Sequence, residues 1–398
     1  MENRLETRMS DRTLQRILLG AVRFMLLIAL PLESIQGYGD FPHFFDLAWL
    51  AVDGGGGLPF IGHWVEFPPL FPFLSILLYR LAGGMEHRYV YLLALLLVIV
   101  DVGNLILFQR LAEKLLSREK ARLAGWVYTA FLLLPAFGWW TFDPIGVFFA
   151  LLSLVFVFEA KPVWSGLAAG LGFLTKLVPV LSLLGFLAKR RWKAAAISAI
   201  VLVVLAGVVL IPILQSGGAF AQASFRAQFM KGSWETVWAL IDGNLTTGSY
   251  GPIEEHLSLE EGVIARGAPA RIPHWIPSLV AAGFGLWLFF RMRRDDIAVM
   301  GIITAAWCVV FLWSRGWSPQ WLAYLVPFLL LALPLERGMF YIIGMMLTSL
   351  IEWPLLLSRG RFDLLWLTVP LRTLVLLLLT ITLVPVIIQK TQSERGAH

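Results

Sequence analysis

Apolar runs long enough to fill a bilayer recur from Ile17 to Ile388, and nothing else in the chain constrains its fold as strongly. A transmembrane helix needs about 20 mostly apolar residues. Windows that reach or approach this length are 17–35, 89–109, 123–141, 144–159, 162–176, 177–188, 194–214, 275–290, 297–314, 319–334, 338–357 and 364–389. Of the 398 residues, 58% are apolar or aromatic and only 15% are charged, against roughly 25% charged in an ordinary soluble domain. Too little polar surface remains to cover a water-soluble globule, and far too much apolar residue is present for disorder. The reading is an all-α, polytopic membrane protein with about twelve transmembrane helices, forming one integral domain over 1–398. The first window follows four arginines, contains Arg23 and lacks a small-residue cleavage site; it reads as a retained anchor. The single cysteine, Cys308, leaves no disulfide and no thiolate metal site to consider.

Charge sets the orientation. The net charge of +6 does not imply a nucleic-acid partner, because basic residues in such a chain collect in cytoplasmic loops. The proline-bearing stretch from Phe67 to Leu81 decides the outcome. If it crossed the membrane, Arg110, Lys114, Arg118, Lys120 and Arg122 would all lie outside. If it rests on the outer interface, the cytoplasmic segments hold 20 of the 32 Lys and Arg, and the longer exterior segments hold nine. The second arrangement is expected. Both termini are then inside, and two large segments, 36–88 and 215–274, are exterior. The first should contain interfacial helices, and function should be sought in these loops.

In the first exterior loop, Asp40, Asp46, Asp53, Glu66, His43 and His63 fall within 27 residues, although the chain has only six histidines. Asp40, His43 and Asp46 are spaced three apart, which makes each a neighbour of the next on a helix. Gly54–Gly57 separates this stretch from the next. Three readings follow from the residues: a solvated polar loop, metal ligation by Asp40, His43, Asp46 and His63, or a general base where a lipid-borne substrate meets a water-borne hydroxyl. The spacing matches no standard zinc pattern.

The motif GDFxHxxxLAW, followed by Trp64-x-Glu66-Phe67-Pro68-Pro69-Leu70, resembles the first loop of GT-C glycosyltransferases. These are membrane enzymes that take a sugar from a polyprenyl phosphate. The likeness is nearest the dolichyl-phosphate-glucose glucosyltransferases and extends to polyprenol-phosphate-mannose mannosyltransferases. FLTKLVPVL at 173–181 and WSPQWLAYLVPFLL at 317–330 are similar to later family motifs. Phe41 stands where Tyr is common, and Glu66 where Asp is. The resemblance implies transfer of a hexose, mannose or glucose, from a polyprenyl-monophosphate donor to a lipid- or glycan-linked hydroxyl, with inversion, on the exterior or lumenal face. It implies Asp40 and Glu66 as catalytic residues, Asp40 being the base. His43, Asp46, Lys176, Arg315 and Gln320 are the expected substrate-binding residues. No cofactor beyond the donor is expected, and no metal.

Lys176 interrupts an apolar run near the outer end of its window, where a lysine needs a partner or a purpose; a lipid phosphate is one, and snorkelling is the bland account. Arg315 lies in a short exterior loop. Asp101 and Asn104 fit interhelical bonding. The setting is a multi-pass protein of the plasma membrane in a prokaryote, or of the endoplasmic reticulum in a eukaryote. A non-enzymatic transporter or flippase is the alternative, but it would place its charges at mid-membrane in broken helices.

Overall fold

A computed structural model describes residues 10–36, 39–134, 139, 141–248 and 251–389. Gly37 and Tyr38, just before the first motif, and residues 1–9 and 390–398 of the terminal basic segments lie outside the described residues. Helices dominate, and among the described residues there are only isolated β-bridges and no strand. Among the described residues, five helices are long and apolar enough to cross a membrane, and seven further apolar helices have 10–17 residues. This is the architecture of an integral, multi-pass, all-α membrane protein. Each expected window overlaps a helix. The 177–188 window departs most, because it forms a 3-10 turn, Val178–Leu183, and a five-residue helix, Leu184–Ala188. Pro179 opens that turn, and proline removes the backbone donor that a longer α-helix would need.

Polar groups inside the spans are paired with one another. Arg23, fully buried in the first helix (Asp11–Ala29), lies 3.3 Å from Asp101 of the Glu86–Leu115 helix. It also donates to the Leu132 carbonyl at 2.9 Å and sits 4.2 Å above the Trp139 ring. Asn104 bonds Asp101 and, at 3.1 Å, the Pro144 carbonyl. These bonds tie several helices together, as expected for Asp101 and Asn104.

The 36–88 segment, expected to be the first exterior loop, contains two short helices. Phe41–Val52 starts at Asp40, with Pro42 in its first turn, where a missing N–H costs nothing. Phe41, Phe44, Leu47 and Ala48 form its buried face, at the spacing of one helical stripe. The chain then turns through the glycines. A Cβ on Gly62 would lie 2.1 Å from the Gly56 carbonyl oxygen, so that crossing admits only glycine. Leu70–Leu81 follows directly on Pro68 and Pro69 and ends where Gly83 and Gly84 take positive φ. Its 12 residues rise about 18 Å, well short of the roughly 30 Å hydrocarbon core. Phe44 and Phe71 pack at 4.7 Å between the two helices, and Phe71 stacks on Phe142 at 3.7 Å. This aromatic contact seats the loop on the start of the Asp143–Phe158 helix.

The 215–274 segment closes over the 36–88 segment. The Trp192–Met230 helix is broken at Gly218 (φ 48°, ψ −110°). Beside the break, a Cβ on Gly217 would meet the Phe60 carbonyl oxygen at 2.0 Å. Beyond it, Ser224 Oγ accepts from the Val65 N–H at 2.9 Å. The loop returns at Glu255–Ser258, where the Trp64 indole donates to the carbonyls of Glu255 and Ser258, both at 3.0 Å. The two segments expected to be exterior, separate in the sequence, therefore form one packed cap.

Candidate active site

Asp40 occupies the N-cap of the Phe41–Val52 helix and is open to solvent. Protein nonetheless surrounds it closely enough that desolvation raises its carboxyl pKa. The charges of His43, Lys176 and Lys231 oppose that rise, and Asp143 adds to it. A carboxylate that is reachable by solvent but poorly hydrated is suited to accept a proton.

Glu66, at the foot of the Pro-Pro turn, is buried and paired with His43 Nε2. Burial pushes its carboxyl up, but the His43 charge and hydrogen bond outweigh this and leave it at about 2. Burial likewise pulls His43 down, and the Glu66 carboxylate outweighs it, so His43 is raised. The two form an imidazolium–carboxylate pair. Asp46 lies one turn beyond His43 and is half-buried; desolvation raises it, against the attraction of His43. His63, grouped with Asp40, His43 and Asp46 in the metal-ligation reading, is fully buried, with Nδ1 3.2 Å from the Gly56 carbonyl oxygen.

Lys176 caps the Pro162–Thr175 helix at the end adjoining the start of the Asp143–Phe158 helix. Its ammonium lies 3.4 Å from Asp143 Oδ1 and 4.7 Å from the Phe142 ring centroid. Asp143 is fully buried and also accepts the Thr141 hydroxyl at 2.8 Å. The lysine thus has a protein partner, yet 22% of its side chain is exposed, so a further anion can reach it. Arg315 is bound to the second exterior loop: it contacts Asp242 at 3.2 Å, the Ile272 carbonyl at 2.7 Å and His274 Nδ1 at 3.0 Å. These contacts make it a fastener of that loop. Gln320 is half-buried on the Pro319–Trp321 turn.

Three residues at the site were not among those expected from the sequence. Lys231, just past the Trp192–Met230 helix, has its ammonium 4.5 Å above the Trp234 ring. Burial brings it down to about 8, against the attraction of Glu66 and Asp40, and with Lys176 adding to the fall. Asp143 is the counter-ion of Lys176. His256 brings a third imidazole-bearing segment, its ring stacked on Trp64 at 4.0 Å and its Nδ1 3.9 Å from Glu66. Asp143 and Lys231 are single charges bordering apolar runs, and that was the only sequence signal of their placement. His256 had no local signal beyond the scarcity of histidine.

The assembly is therefore a membrane-embedded helical body. Its cap, built from 36–88 and 215–274, presents an accessible carboxylate on which the charges of two ammonium groups act, an arrangement suited to an anionic substrate. A family model, glycosyltransferase family 87, matches residues 64–314, and the chain belongs to that family. The protein is accordingly a membrane glycosyltransferase, which bears out the resemblance to GT-C enzymes. Among solved structures, it is similar to ArnT from Cupriavidus metallidurans bound to undecaprenyl phosphate. The TM-score is 0.49 at 15% identity, over 92% of this chain and 76% of that one; such a likeness assigns no residue roles. No curated protein matches the chain by sequence.

Proposed function

We propose that this glycosyltransferase moves a hexose, mannose or glucose, from a polyprenyl-monophosphate donor to a hydroxyl of a lipid- or glycan-linked acceptor. Transfer takes place at the exterior or lumenal face, with inversion. The observation that carries this reading is the partly exposed Lys176 ammonium, paired with Asp143 and facing the Phe142 ring and the Phe67 ring of the same cap that bears the solvent-accessible Asp40. A nucleophile's proton and a leaving phosphate can thus be handled on one face of the cap.

Asp40 takes the proton of the acceptor hydroxyl as its oxygen attacks the anomeric carbon. The bond from that carbon to the phosphate oxygen breaks, and the phosphate leaves with the electron pair. Negative charge on the phosphate grows during this step, so Lys176 and Lys231 stabilise the transition state more than the ground state. Glu66, held by His43, orients the acceptor or the sugar, and Asp46 extends that polar face. Arg315 and Gln320 contribute to substrate binding through the second loop and the start of the Leu322–Ala332 helix. The test is a transfer assay with purified protein, a panel of polyprenyl-phosphate hexoses and a lipid-linked acceptor. Transfer from at least one such donor is expected, with loss in Asp40→Asn. Failure of all of them beside activity with a nucleotide sugar would overturn the reading.

A further inference from the structure

An orienting role for Glu66 does not account for the two imidazoles gathered round it. His43 comes from the first interfacial helix, Glu66 from the Pro-Pro turn and His256 from the second exterior loop. One potential ligand atom from each lies within 4.8 Å of those of the other two. Glu66 and His256 are buried, and His43 is partly so.

The His256 ring is fixed. It is fully buried, stacked on Trp64, and its Nδ1 lies 2.8 Å from the Trp64 carbonyl oxygen. A carbonyl can only accept, so Nδ1 carries the proton and Nε2 the lone pair. Nε2 is buried with no hydrogen-bond partner among the described residues. A buried acceptor left unmatched is costly. A neutral imidazole with its N–H fixed by a backbone carbonyl is the usual state of a metal-bound histidine. His63 repeats the arrangement, with Nδ1 against the Gly56 carbonyl and Nε2 buried without a partner.

We infer that His43, Glu66 and His256 form a binding site for one divalent transition-metal ion, which on binding displaces to solvent the proton that His43 Nε2 otherwise shares with Glu66. Two imidazoles and a carboxylate match zinc best and leave a coordination position open. The ion fastens the second exterior loop to the first. This reverses the expectation from the sequence, which had no local spacing to read: Glu66 and His256 lie 190 positions apart. The inference does not depend on the identity of donor or acceptor.

The test uses the full-length protein in detergent, stripped with a chelator, equilibrated with zinc chloride alone and desalted. Metal per chain is then measured by inductively coupled plasma mass spectrometry. One retained zinc is expected. Glu66→Gln and His256→Gln should each weaken zinc affinity at least about 100-fold, the upper end of the cost of losing even an outer-shell partner. Elution volume and helical circular dichroism should be unchanged. His87→Gln, at an exposed position, should retain the ion. If His256→Gln does not fold, the near-isosteric Glu66→Gln carries the test. No retained zinc in the wild type, equal retention in Glu66→Gln, or loss in His87→Gln would each overturn the site.

Discussion

Lys176 and Asp143 face each other at 3.4 Å, one ending a helix and the other starting its antiparallel neighbour. The contact fixes a partly exposed ammonium group where the two helices meet, and its charge acts on the Asp40 carboxylate. An ion pair with one exposed side can hold its cation in place and still leave it able to meet a second anion.

Removing that cation should have two separable effects. Lys176→Met is expected to lower donor affinity and turnover by about 10- to 150-fold, corresponding to one good charged contact of roughly 1.5–3 kcal/mol. Lys176→Arg should retain part of both. Lys176→Met also leaves Asp143 buried without its counter-ion, so thermal stability should fall. Asp143→Asn on that background should restore stability but not turnover. Melting temperature and initial rate, measured on the same preparations, check this pair of outcomes.

The pH dependence follows from two groups. Asp40 must be ionised to accept a proton, and desolvation raises its pKa above the ordinary carboxylate range, with His43, Lys176 and Lys231 opposing. Turnover should therefore rise with pH through that raised value. Lys231 must be protonated to hold phosphate, and burial brings it to about 8, so turnover should fall above about pH 8. Lys231→Arg should extend the alkaline limb upward, because guanidinium stays charged. An alkaline limb unmoved in Lys231→Arg would assign it to another group.

Much of this arrangement was legible in the chain. The apolar windows became helices because a bilayer-length apolar run has few other stable forms. The polar cluster in the first loop stood out because charge is scarce elsewhere, and Asp40, His43 and Glu66 do converge. Contacts between the loops were not legible. His256 meets Glu66 only because the long helix breaks at Gly218 and its continuation folds back over Phe60. Lys231 joins Asp40 by the same turn. Arg315 was expected beside a phosphate, and a single-sequence reading gives no view of Asp242 as its partner.

Topology can be tested at positions the structure shows to be accessible. His87 follows the Leu70–Leu81 helix, and Lys120 lies in the basic segment 110–122; both are exposed. With the buried Cys308 replaced by alanine, single cysteines at these positions should label oppositely with an impermeant thiol reagent in intact cells or sealed vesicles. The position 87 cysteine should react from outside and the position 120 cysteine only after permeabilisation. Equal exterior labelling would mean that the proline-bearing segment crosses the membrane.

Arg315→Gln should act mainly on the second loop. Its partners Asp242, Ile272 and His274 all lie in or beside that loop. Faster limited proteolysis within 242–274 is expected, with a smaller loss of donor affinity than in Lys176→Met. A donor-affinity loss equal to that of Lys176→Met, with unchanged proteolysis, would place Arg315 on the phosphate instead.

The central claim is that Asp40 is the base, and single-turnover transfer by purified Asp40→Asn tests it most directly. The assay uses a polyprenyl-phosphate hexose that the wild type accepts, with donor binding measured in parallel. Asparagine keeps the shape of the side chain and removes its basicity. The rate should fall by at least about 10²-fold, the low end for a general base, while donor binding stays within a few-fold of wild type. A near-normal rate in a folded Asp40→Asn protein would contradict the account and move the base to Asp46 or Glu66.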